Sequence, residues 1–175
     1  SIKDTILESL PNLFLIDGSG YIFRAFYGLP SMSNNDGVPV NAVFGYTKML
    51  LKLIDDFKPI YVAVIFDVAR KTFRNDLYDF YKANRSDPPD ELIPQFSIIR
   101  DATNAIGLPV VEMEGYEADD LIATYSDIAS KMNKNVIIVS SDKDLMQLVD
   151  QNITLFDPMK QFWINDEKVF EKFGV

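Results

Sequence analysis

The sequence predicts an α/β fold with a central, mainly parallel sheet of about five strands flanked by helices. Three observations predict it: apolar runs of strand length recur along the chain, amphipathic segments separate them, and acidic residues collect where the runs end. Leu13–Ile16, Tyr61–Phe66 and Val136–Val139 are rich in branched or aromatic residues, too short for helices and without alternation, as strands buried on both faces should be. Pro109–Met113 and Ile153–Phe156 are weaker candidates. Helical periodicity marks Ala42–Phe57, with Val43, Met49, Leu50, Leu53, Ile54 and Phe57 on one side, then Glu91–Ile106, then Glu117–Met132 with Leu121, Ile122, Tyr125, Ile128, Ala129 and Met132. Ile2, Ile6, Leu7 and Leu10 read as a short amphipathic helix stopped by Pro11, and Asp166–Phe173 as another. Arg85–Asp90 reads as a loop, because Pro88 and Pro89 forbid helix there.

A chain of 175 residues, 47% hydrophobic and 25% charged, has the length for one globular domain, here 1–175. Seventeen Lys and Arg against 26 Asp and Glu give a net charge of −9, which ordinarily argues against a phosphate-binding surface and against an anionic membrane. The lack of cysteine removes disulfides, thiolate zinc sites and cysteine nucleophiles; the lack of histidine removes imidazole bases and ligands. Any catalysis must run on carboxylates, Lys, Tyr, hydroxyls or bound ions. No apolar run approaches the roughly 18–20 residues of a membrane span, and no signal-peptide pattern opens the chain, so a soluble, cytoplasmic protein is expected. The first residue is Ser1 rather than Met, as in a processed or excised chain.

The acids fall where a parallel sheet binds ligands. Asp17 ends the first strand, Asp67 ends the second, and Asp142 and Asp144 follow Val136–Val139 directly after Ser140-Ser141, placing four carboxylates at the carboxyl rim. Glu117, Asp119 and Asp120 open a helix after Gly115-Tyr116, with Glu117 and Asp120 on neighbouring positions of its first turn. Singly, each acid reads as an ordinary turn, cap or first-turn residue, Asp17 with Gly18 and Ser19 among them. Jointly, seven carboxylates in one crevice repel severely unless cations neutralise them, and Mg²⁺ or Mn²⁺ suits an oxygen-only donor set.

A second feature is basic. Arg70, Lys71, Arg74, Lys82 and Arg85 stand against only Asp76 and Asp79, with Phe73, Tyr78, Phe80 and Tyr81 interleaved. Cations for phosphates and rings for bases make a single-strand binding surface; an amphipathic helix with a charged outer face has the same composition. Seven acids committed to metals leave a remainder close to neutral, which answers the objection from net charge.

Leu15-Ile16-Asp17-Gly18, Phe66-Asp67, Phe73-Arg74, Tyr81-Lys82-Ala83-Asn84-Arg85, Gly115-Tyr116-Glu117-Ala118-Asp119-Asp120 and Ser141-Asp142-Lys143-Asp144-Leu145 occur in the order and at the spacing of a known family. The chain from about Leu13 to Val175 resembles the 5′-nuclease (5′-3′ exonuclease) domain of bacterial DNA polymerase I, of the flap endonuclease group with its three-layer, PIN-like fold. The resemblance implies hydrolysis of phosphodiesters near the 5′ end of flapped or nicked DNA in replication and repair, such as primer removal. It implies metals at Asp17, Asp67, Glu117, Asp119, Asp120, Asp142 and Asp144, with Asp119 between both ions. It also implies Lys82 and Arg85 at the base of an arch with Arg24 and Arg74 nearby, all steering phosphates; Tyr81 is a further expected DNA contact, and a cation such as Lys82 suits charge developing on the phosphoryl oxygens. The family continues into two further acids and a helix-turn-helix that grips duplex DNA, absent from these 175 residues, so the first metal site is expected complete and the second half built. Continuity with polymerase domains in a longer, monomeric protein is a further expectation.

The chemistry such a donor set supports is two-metal hydrolysis, with ions ~3.5–4 Å apart activating water and stabilising the leaving oxygen. The rivals are a non-catalytic DNA-binding remnant with an incomplete second site, a PIN-like ribonuclease or small-ester phosphohydrolase, and a structural α/β domain that binds no metal.

Overall fold

The computed structural model describes residues 12–68 and 88–166. Among the described residues the strands are β1 (Leu13–Asp17), β2 (Tyr61–Ile65), β3 (Val110–Val111), β4 (Val136–Val139), β5 (Ile153–Asp157) and β6 (Phe162–Ile164). The helices are α1 (Gly18–Gly28), α2 (Asn41–Phe57), α3 (Ile93–Ile106) and α4 (Ala118–Lys131), with a 3-10 turn at Lys143–Leu148. They form one sheet in the order β3-β2-β1-β4-β5-β6, parallel except for the β5–β6 pair. Strand order runs outward from β1 through β2 to β3, then jumps to β4 on the other side of β1. That reversal opens a crevice at the carboxyl ends of β1 and β4.

The strands are apolar without alternation because both faces are covered. Phe14, Ile16, Val64, Phe66, Ile137, Val139 and Phe156 pack against α1, α2 and α3; Leu15, Ile65, Val136, Ile138 and Leu155 point the other way, onto α4 and the 3-10 turn. The three long apolar runs all become strands, and the expected helices at Ala42, Glu91 and Glu117 appear within about two residues of their expected starts.

Three differences have physical reasons. The sheet has six strands rather than about five, because the chain reverses at 158–161, with Gln161 at φ 52°, and returns Trp163 to stack on Phe156 with ring centroids 4.2 Å apart. Only Val110–Val111 of Pro109–Met113 pairs with β2, and β2 itself ends at Ile65, so Asp67 stands two residues beyond it. Helix α1 begins at Gly18, where no helix is expected: of the turn and cap roles open to Asp17, its side chain takes the cap, accepting from the Gly20 N–H, and a Cβ at Gly18 would lie 2.6 Å from the Phe66 ring. The segments expected as helices at Ile2–Leu10 and Asp166–Phe173, the latter beyond its first residue, lie outside the described residues, as do the whole basic stretch from Arg70 to Arg85 and the expected loop Arg85–Asp90 up to residue 87. No helix among the described residues is long and apolar enough to cross a membrane.

Candidate metal centre

The crevice is built from the middle of the sheet outward. Asp17, at the end of the central strand, is 4% exposed, and Asp67, beyond the neighbouring strand, is 5% exposed. Both Asp17 oxygens are engaged: Oδ1 accepts from the Gly20 N–H at 3.0 Å and Oδ2 from the Ser140 hydroxyl at 2.8 Å. Ser140, fully buried at the end of β4, also accepts from the Asp142 N–H at 3.0 Å, so one hydroxyl spans the β1–β4 reversal and ties two acids together. Burial pushes the Asp17 carboxyl up from its ordinary 3.8; the two hydrogen bonds oppose that, and the charges of Asp67 and Asp142 reinforce it.

Asp67 is held at three points. Its N–H donates to Ser19 Oγ at 2.8 Å, its Oδ1 accepts from the Ala118 N–H at 2.7 Å, and its carbonyl accepts from Arg100 Nη2 at 2.6 Å. The Ala118 bond sets the start of α4 against Asp67, which brings Glu117, Asp119 and Asp120 to the same rim. Glu117 and Asp120 form a capping box: the Glu117 side chain accepts from the Asp120 N–H, and Asp120 Oδ2 accepts from the Glu117 N–H at 3.2 Å. Asp142 caps the 3-10 turn, accepting from the Asp144 N–H at 2.9 Å, while Asp144 itself is exposed.

Hydrogen bonds at the carboxyl rim tie Asp17 to Asp142 through Ser140 and Asp67 to the start of α4, and the capping roles open to single acids are real for Asp17, Glu117, Asp120 and Asp142. Among the described residues no three carboxylates stand close enough to form a finished ligand cluster. Asp17, Asp67, Glu117, Asp120 and Asp142 each turn to a backbone N–H or a hydroxyl rather than toward their like-charged neighbours. A carboxylate offers about four lone-pair sites, so one or two such bonds leave capacity for an ion. An oxygen-only donor set with a buried, like-charge-crowded Asp17 at its centre fits a hard divalent cation.

Arg24, on α1, is half-buried next to Tyr21 and lines a cavity of about 300 Å³ with Lys48 and Lys52 on α2. Arg74, Tyr81, Lys82 and Arg85 lie outside the described residues. Several residues of the crevice are not among the expected site residues: Ser19, Ser140, Arg100, Tyr21 and Asp157. The buried Tyr21 hydroxyl stands by Ser141, Asp157 and Asp17, and burial followed by those two charges raises it well above its ordinary range. Asp157 had a legible signal, an acid ending an apolar run at the same rim; Arg100, one cation in a polar helix, had none.

Residues 12–174 match the model of the 5′-3′ exonuclease N-terminal, resolvase-like domain. The chain is 55% identical over 172 residues to DNA polymerase I of Rhizobium leguminosarum, covering 94% of this chain and 17% of that protein. It is 40% identical over 166 residues to a 5′-3′ exonuclease of Aquifex aeolicus, covering 95% of this chain and 57% of that one, so it spans less than two thirds of either relative. Among solved structures it resembles the T5 D15 protein co-crystallised with metal ions, with a TM-score of 0.66 and 20% identity over 94% of this chain and 62% of that one. It also resembles the catalytic core of Rad2 in complex with DNA substrate, with a TM-score of 0.55 and 17% identity over 97% and 52% of the two chains. At those identities the likeness is one of fold, whereas the family match runs through every acid of the rim. The chain belongs to the family of 5′-3′ exonuclease N-terminal, resolvase-like domains.

Proposed function

We propose that this chain is a divalent-metal-dependent 5′-3′ exonuclease and flap endonuclease acting on the 5′ ends of DNA. The observation that carries the reading is the meeting of Asp17, Asp67 and Asp142 at the ends of adjacent parallel strands, with the acidic start of α4 hydrogen-bonded to Asp67. Asp17, Asp67, Glu117, Asp119 and Asp120 would hold one ion, with Asp142 and Asp144 serving a second. When bound, Mg²⁺ or Mn²⁺ supplies water activation and charge neutralisation at a scissile phosphate. The chain's own part is to fix oxygen donors on rigid strand ends and to exclude bulk water from Asp17 and Asp67. Lys82, Arg85, Arg74 and Arg24 would steer phosphates toward the rim, Tyr81 would contact the DNA, and Lys82 would offset charge developing on the phosphoryl oxygens.

The names borne by the relatives, DNA polymerase I and 5′-3′ exonuclease, support the activity, and the metal and DNA complexes of the fold neighbours support the partners. The test is cleavage of a 5′-flapped oligonucleotide with Mn²⁺ against EDTA, beside an RNA of the same sequence. Metal-dependent release of the 5′ strand from DNA is expected. Retardation in a gel without cleavage would replace the reading with a DNA-binding remnant, and cleavage confined to RNA would replace it with a ribonuclease. Lys82→Ala and Arg85→Ala should each lower the slope of log K against log salt by about 0.7–0.9 per lost phosphate contact.

A further inference from the structure

Arg100 lies on α3, 5% exposed, in a position that the chemistry of the rim does not require. A buried guanidinium is expensive unless its donors are engaged, and here they are shared among three elements. Nε and Nη2 donate to Glu112 Oε2 at 3.0 and 2.8 Å, Nη1 donates to the Phe96 carbonyl at 3.2 Å, and Nη2 also donates to the Asp67 carbonyl at 2.6 Å. The planar group lies 4.6 Å over the Phe66 ring, the ring that also closes on Gly18. Its partner Glu112 keeps 31% of its side chain in solvent. Such a pair contributes little to stability by itself, because desolvation offsets most of the attraction.

Its effect is geometric. Asp67 follows β2 by two residues, outside the sheet's hydrogen bonds, so nothing in the strand ladder fixes its backbone carbonyl. Arg100 supplies that third point, opposite the Ser19 bond to the N–H and the Ala118 bond to the carboxylate. We propose that Arg100, braced by Glu112 and Phe66, is a positioning residue that sets the Asp67 carboxylate for metal binding. One nitrogen, Nη2, meets both the Asp67 carbonyl and Glu112; the rest of the guanidinium adds a second donor to Glu112, a donor to the Phe96 carbonyl and a planar face on Phe66, which a lysine's single nitrogen cannot supply together. The consequence for metal rests on the proposed nuclease reading; the positioning of Asp67 does not.

The test compares Arg100→Met and Arg100→Lys with the parent chain, each shown folded by its melting transition. Two readouts are taken: exchange of the Asp67 and Ala118 amide protons in EDTA, relative to amides inside α4, and Mn²⁺ affinity by calorimetry. Both amides should exchange about tenfold faster in Arg100→Met, and the Mn²⁺ dissociation constant should rise about 10- to 100-fold, as for other groups that orient a ligand. Arg100→Lys should fall between, its charge retained and its fork lost. A merely structural Arg100 would lower the melting temperature and leave both readouts at parental values, which overturns the proposal. Should Arg100→Met fail to fold, Arg100→Lys and Glu112→Gln carry the same readouts, and parental values in both overturn it. If the parent takes up no Mn²⁺, the nuclease reading falls, and amide exchange alone decides the positioning.

Discussion

Asp17 and Glu117 are both acids that cap a helix at the same crevice, yet they stand in opposite physical situations. Asp17 is sealed under α1 and the end of β4, crowded by Asp67 and Asp142, and its carboxyl is pushed upward by burial. Glu117 and Asp120 sit at the edge of α4, half-buried and exposed, exchanging hydrogen bonds with each other's backbone, and Asp144 is exposed on its 3-10 turn. The inner pair, Asp17 and Asp67, has lost its water and gains most from a cation. The outer acids keep their hydration and are held by bonds that cost little to replace. A metal centre built this way has a rigid inner half and an adjustable outer half.

The sharpest break of that contrast is Asp67→Ala against Asp144→Ala. Losing the Asp67 carboxylate strips the buried Ala118 N–H of its acceptor, which should cost about 1–3 kcal/mol by denaturant unfolding. Cleavage should also fall by more than about 100-fold, since disturbing even the support of a ligand costs up to that much. Asp144→Ala, on the exposed turn, should stay within about 0.5 kcal/mol of the parent. Equal stability losses for the two would erase the distinction between inner and outer acids.

Metal itself should act mainly through the inner half. An ion at 100 times its dissociation constant adds about 2.7 kcal/mol to the folded state, which for a chain of this length raises the melting temperature by about 5 °C or more. Melts in Mn²⁺ and EDTA measure this. Asp17→Asn should lose most of the Mn²⁺ response, and a full response in that variant would move the centre of binding outward.

The same contrast explains what the sequence shows and what it hides. Strand runs were legible because burial on both faces leaves nothing polar in them, and the rim was legible because acids at strand ends mark where a parallel sheet stops. Helix α1 was hidden: its glycines have poor helix propensity, yet Gly18 must leave room for Phe66 and Gly20 must bring its N–H to Asp17. Strand β6 is too short for periodicity and depends on Trp163 finding Phe156. Ser140 and Arg100 were hidden for another reason, since their partners, Asp17 and Asp67, are remote in sequence and the pairing exists only in the fold.

Acidity offers a subtler probe. The Asp17 carboxyl is raised in the folded chain, so between about 3.8 and that raised value the folded state binds more protons than the unfolded one. Its contribution is therefore fully favourable below about 3.8 and is lost as the pH rises through the folded value. In EDTA, the parent should gain stability relative to Asp17→Asn as the pH is lowered through this window. Divalent metal should cancel the trend, because an ion replaces the proton as the neutralising partner. A difference between the two proteins that grows instead with rising pH would show that the hydrogen bonds from Gly20 and Ser140 outweigh burial.

A small effect that separates charge from capping belongs to the outer half, at Asp120. Its carboxylate accepts from the Glu117 N–H, one half of the capping box, so the bond can survive loss of charge if an acceptor oxygen remains. Asp120→Asn keeps such an oxygen and also removes one of the crowded negative charges; its stability in EDTA should equal or slightly exceed the parent's. Asp120→Ala removes the acceptor and should cost about 0.5–1 kcal/mol, the usual range for a lost cap. Comparing the two separates capping from charge at one position. If Asp120→Asn destabilised the fold as much as Asp120→Ala, the carboxylate charge would be stabilising the helix terminus beyond its hydrogen bond, through the positive end of the α4 dipole. The outer acids would then be held in place electrostatically even without metal, and the division of the centre into a rigid and an adjustable half would have to be redrawn at Asp120.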